Sequence, residues 1–91
     1  MDDIIKELLS HLQKIVNTNV IEIKISYIGI NELRVTFKEN ELLASTNIQI
    51  SLLNIDCKYY ATYVAHRLIR VLSIERYYNR AFGSETYRTY A

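Results

Sequence analysis

The sequence predicts an α+β domain of order α-β-β-β-α, a three-stranded antiparallel meander with two helices on one face. Three observations predict it. Apolar residues recur at helical spacing in two segments, one near each end of the chain. Between these segments, apolar and polar residues alternate in three successive runs. The 91 residues include two glycines and no proline, which leaves little room for long loops.

The first helix covers residues 3–16. Ile4, Ile5, Leu8, Leu12, Ile15 and Val16 fall on one face at about 100° per residue. Asp2 and Asp3 stand at its start, where carboxylates complement the helix dipole. Asn17-Thr18-Asn19 supplies the turn chemistry that ends it.

Three strands follow. In VIEIKISYI (20–28), Ile21, Ile23, Ile25 and Tyr27 alternate with Glu22, Lys24 and Ser26. Gly29 marks the turn after it. In ELRVTFK (32–38), Leu33, Val35 and Phe37 alternate with Arg34, Thr36 and Lys38, and the turn is read over 38–41. In ASTNIQISLL (44–53), Ile48, Ile50 and Leu52 alternate with Ser45, Asn47, Gln49 and Ser51. Period-two patterning means one buried and one wet face in each strand. Short connections make neighbouring strands antiparallel.

The last helix is long. Asn54 or Asp56 can cap it. Cys57, Tyr60, Ala61, Val64, Leu68, Val71 and Leu72 form its core stripe, and Gly83 is its expected stop. Residues 1–83 thus form a single domain. The tail 84–91 has no apolar pattern and reads as mobile or extended.

The net charge of +1 conceals an asymmetry. Residues 1–57 carry five Lys/Arg against eight Asp/Glu, whereas residues 58–91 carry six against two. A dedicated nucleic-acid binder is more basic than this as a whole. Cys57 is the sole cysteine, so no internal disulfide forms. The acidic start MDDIIK is unlike a signal peptide, and no apolar run reaches membrane-span length. A soluble, cytoplasmic protein with no membrane partner is expected.

The stretch YYATYVAHRLIRVLSIERYYNR (59–80) holds five of the eight tyrosines and four of the six arginines. Turned from the core stripe by about a quarter to a third of the helix circumference lies a second stripe. It contains Tyr59, Tyr63, His66, Arg67, Arg70, Ile74 and Tyr77. Such residues can serve the monomer: half-buried tyrosines keep their hydroxyls wet, and arginine stems cover apolar neighbours. Tyrosine and arginine are also the residue types enriched at interface hot spots. A strip of them predicts a partner-binding surface. The same residue types suit phosphates and unpaired bases, which makes Arg67, Arg70, Arg76, Arg80 and Arg88 the candidate nucleic-acid contacts. Self-association through the strip about a two-fold axis is a third reading, a homodimer.

Catalytic and cofactor chemistry is not expected. Cys57 and His66 lie nearly opposite on the helix and about 13 Å apart along its axis, so they cannot form a thiolate–imidazole pair. His11 sits at the border of the first helix's apolar face and reads as structural. Two histidines and one cysteine without ligand spacing predict no metal site. No glycine-rich phosphate loop exists. Glu75 falls on the core side of the last helix. Either the helix has run past the sheet there, or Glu75 pairs with an arginine.

The element order is similar to that of double-stranded-RNA-binding domains. That family has a Gly-Pro-x-His loop between its first two strands and lysines at the start of its second helix. Here the loop is Ile28-Gly29-Ile30-Asn31, and Lys58 is the one basic residue near that helix start. In size and element order the chain also resembles small phage-encoded anti-CRISPR and other anti-defence proteins. That resemblance implies a non-catalytic inhibitor, working in the host cytoplasm, which blocks a host nucleic-acid-processing protein or complex by direct contact. The expected function is therefore protein binding through the Tyr/Arg strip, with a small RNA- or DNA-binding domain as the alternative.

Overall fold

The computed structural model describes residues 3–82. The elements run α1 (Asp3–Ile15), β1 (Glu22–Gly29), β2 (Glu32–Glu39), β3 (Leu42–Gln49), α2 (Ile50–Ile55) and α3 (Cys57–Phe82). The strands form an open antiparallel sheet of order β1-β2-β3, so the expected α+β meander is observed. A short third helix, α2, is added between the last strand and the long helix.

The α1 face buries Leu8 and Leu12, with Ile4 and Ile5 packed at its margin; Val16, just past the helix end, is buried too, whereas Ile15, expected on the same face, is exposed. After Ile15 the chain turns on Asn17. Its side-chain Oδ1 accepts from the Asn19 amide at 3.1 Å, and its carbonyl accepts from the amides of Val20 and Ile21. This local hydrogen bonding is the reason asparagine ends helices well.

The central strand β2 has its whole inward face sealed, with Leu33, Val35 and Phe37 each fully buried. At the edges burial is incomplete. On β1, Ile23 and Ile25 are half-buried and Tyr27 is exposed, beside an irregularity in register between Tyr27 and Gly29. On β3, Ala44 and Ile48 reach the core. The other face stays wet. Lys24, Thr36 and Ser45 form one cross-strand row, and Thr36 Oγ1 and Ser45 Oγ share a hydrogen bond of 2.8 Å. The second hairpin turns on Asn40-Glu41 alone, with Asn40 at φ 57, a left-handed conformation that asparagine tolerates.

The expected third strand ran through residue 53, but it stops at Gln49. Ile50–Ile55 is helical. Asn31, in the β1–β2 turn, causes the switch. Its carbonyl accepts from Ile50 N at 2.8 Å, and its Oδ1 accepts from Ser51 N at 3.0 Å. Its Nδ2 donates to Ser51 Oγ at 3.2 Å. The first amides of α2 are therefore capped from a distant turn, while Gln49, at the cap position itself, makes no side-chain cap. Leu53 of α2 then enters the core.

The long helix begins at Asp56, whose Oδ1 accepts from Tyr59 N at 3.1 Å while its carbonyl accepts from Tyr60 N. This is the side-chain cap expected of an aspartate before the first turn. All three helices pack on one face of the sheet, and Cys57, Ala61, Val64, Ala65, Leu68 and Leu72 complete the core. No described helix is long and apolar enough to cross a membrane. Gly83 and the tail 84–91 lie outside the described residues.

Candidate functional site

The buried stripe of α3 differs from expectation at three positions. Ala65 is fully buried, Val71 is 37% exposed, and Tyr60 is half-buried at the margin of the core. Ala61 belongs to the expected stripe, and Ala65, whose small side chain gives a weak hydropathy signal, joins it as a second fully buried alanine. Counting about 100° per residue, this exchange swings the buried stripe away from the Tyr/Arg strip. The strip then lies almost diametrically across the helix, instead of a quarter to a third of the way round.

Tyr59, Tyr63, His66, Arg67, Arg70, Ile74 and Tyr77 are all exposed. Tyr63 keeps 53% and Tyr77 64% of its surface in water. Neither α1 nor the sheet covers them. Tyr63, His66, Arg67, Arg70, Val71 and Ile74 line a shallow groove on the outer side of the helix. Its lining combines the aliphatic Val71 and Ile74 with guanidinium, imidazole and phenol groups. Among the described residues neither Arg67 nor Arg70 forms an ion pair, so both donor sets remain available to a partner. At either end of the strip a tyrosine is braced by its sequence neighbour. Tyr59 meets Tyr60 edge-on at 4.9 Å between ring centroids, and Tyr77 meets Tyr78 likewise at 5.6 Å. Such contacts hold the outer rings in defined orientations.

The candidate nucleic-acid arginines are dispersed. Arg67 and Arg70 belong to the strip. Arg76 instead reaches back to the end of β2, where its Nε lies 3.0 Å from the half-buried Glu39 Oε2. The helix has therefore not run past the sheet at this point, and Glu75 sits half-buried on its inner side. Arg80 is exposed, and Arg88 lies outside the described residues. The wet face of the sheet carries Lys24, Arg34 and Lys38 among Glu22 and Glu41, a balanced surface without aromatic side chains.

A second cluster was not expected. Glu7 and His11 of α1 meet Cys57 at the start of α3, with one donor atom from each within 4.8 Å of the others. Sequence spacing within one helix could show the Glu7/His11 pair, but not the third donor, which arrives by tertiary packing. The Cys57 thiol is buried and pushed up to about 11, first by burial and then by the negative charges of Glu7 and Asp56. The amides at the start of a helix act the other way, and here they are outweighed. As expected, Cys57 and His66 are not a pair: Cys57 faces the core and His66 faces solvent.

The chain matches no known protein family, no characterised protein and no solved structure.

Proposed function

We propose that this chain is a non-catalytic protein-binding module that docks a partner through the outward side of α3. The observation that carries the reading is that seven ring, guanidinium and aliphatic side chains at helical spacing are all exposed on the side of α3 opposite the core. Aliphatic side chains set among tyrosine and arginine have the composition of an interface centre. The strip has no acidic residue. The complementary partner surface is thus an apolar ridge flanked by carboxylates, which Arg67 and Arg70 would meet with paired donors. Tyr59, Tyr63, His66, Ile74 and Tyr77 supply the remaining contact area.

The finer reading is an inhibitor of phage or mobile-element type acting on a host nucleic-acid-processing protein. What supports it is the resemblance in size and element order, together with a mixed surface charge that favours contact with protein over mimicry of nucleic acid. Direct binding of RNA or DNA by Arg67, Arg70, Arg76, Arg80 and Arg88 is the competing reading, and its affinity would fall steeply with salt.

The test is capture of partners from host lysate by the native chain and by Tyr63→Ala/Arg70→Ala side by side. The expected result is one protein retained by the native chain, resistant to nuclease and released in the double variant. Two interface-centre residues predict a loss of at least about a hundredfold in affinity. Equal retention by the folded double variant overturns the proposal. Capture abolished by nuclease transfers the strip to nucleic acid, and a stable dimer of the chain in light scattering transfers it to self-association.

A further inference from the structure

The fold brings three side chains of different donor type to one point away from the strip. Glu7 and His11 stand one turn apart on the same side of α1. Cys57 opens α3 against them. A carboxylate oxygen, an imidazole nitrogen and a sulfur lie within 4.8 Å of one another, and His11 Nε2 is 3.8 Å from Glu7 Oε2. Ligand atoms around a tetrahedral ion with bonds of about 2.0–2.3 Å stand roughly 3.3–3.8 Å apart. Since all three donors already lie within 4.8 Å of one another, side-chain adjustments of about 1–1.5 Å bring the set to that spacing.

We infer that Glu7, His11 and Cys57 bind a Zn2+ ion that clips α1 to the start of α3. The donor set decides the metal. Thiolate with imidazole suits a borderline-soft ion, whereas Mg2+ and Ca2+ take oxygen ligands. One thiolate and one carboxylate balance a double positive charge. Burial is graded across the site, with Cys57 buried, His11 half-buried and Glu7 exposed. The ion would therefore sit at the rim, its fourth position open to water or to a donor from a bound partner. On binding, the S–H bond of Cys57 breaks, a sulfur–zinc bond forms and the proton passes to solvent, with no change of oxidation state. A clip of this kind supplies what a small domain without a disulfide otherwise lacks.

Co2+ is the probe, because a thiolate ligand gives it a near-ultraviolet charge-transfer band and tetrahedral geometry gives it intense visible bands. Only Cys57 can produce the first signal, since it is the sole cysteine. Reduced full-length protein without a histidine tag is titrated with Co2+ and then with Zn2+. The expected result is both band sets at one Co2+ per chain, displaced by one equivalent of Zn2+. Cys57→Ser removes the charge-transfer band, and Glu7→Gln and His11→Gln each weaken binding by about tenfold or more. Glu7 is exposed, so its variant reports on ligation while the fold, checked by circular dichroism, stays intact. Absence of the charge-transfer band overturns the inference. So does one metal per two chains, or a folded Glu7→Gln protein that binds as the native one does.

Discussion

If the outer strip of α3 has no duty inside the monomer, removing it must barely affect folding. Tyr63→Ala with Arg70→Ala is the cleanest perturbation, because neither residue takes part in the braced tyrosine pairs. Tyr63 keeps 53% of its surface exposed, so roughly half of a side-chain burial, about 1 kcal/mol, is at stake. Alanine is the better helix former and returns about 0.5 kcal/mol at that position. Arg70 is exposed and forms no ion pair among the described residues. The expected net loss is about 0.5 kcal/mol, or roughly 2–4 °C in Tm for a domain of this size. Leu68→Ala, on the opposite and fully buried side, is expected to cost about 2–5 kcal/mol. Thermal and urea unfolding followed by circular dichroism compare the two. A double variant as damaged as Leu68→Ala would refute the reasoning, because it would show the strip serving the monomer's own stability.

Two further outcomes are expected. Asn31→Ala removes the side-chain cap of α2 and should lower stability by about 1 kcal/mol, while Asn31→Asp keeps the accepting oxygen and should stay near native in the same unfolding assay. Ionisation of Cys57 should also show. Folding raises its thiol from 9.0 to about 11, so its contribution to stability is complete below pH 9 and is lost as pH climbs through 11. Unfolding of chelator-treated protein across that window should therefore weaken by about 2–3 kcal/mol more than in Cys57→Ala, and parallel pH profiles for the two proteins would contradict it.

Local patterning was enough for the meander and for the helices at either end. Leu33, Val35 and Phe37 alternate cleanly because β2 lies between two strands beneath the helical layer, which forces every second residue inward. The pattern misled at residues 50–53. Ile48, Ile50 and Leu52 fit period two, but Ile50, Leu53 and Cys57 fit a helix equally well, and so short a run cannot separate them. The deciding cap comes from Asn31, twenty residues earlier, and no local window contains it. The strip was legible because bulky rings and guanidinium groups mark a helix side plainly. Ala65 was not, since it is a core residue without a hydrophobic signature. The meeting of Glu7, His11 and Cys57 depends on how two helices dock, and spacing along either one is silent about it.

Helix α3 runs unbroken for 26 residues, about 39 Å, close to the molecule's longest dimension of 41 Å. From Tyr59 to Tyr77 its outer side is a continuous helical ruler of about 27 Å. Such a ruler cannot bend to follow a curved target, and it surrenders little backbone freedom on contact. If the proposed docking holds, it would select surfaces already shaped as a linear channel of that length. A loop carrying the same tyrosines and arginines would accept many more shapes, and would hold each of them more weakly.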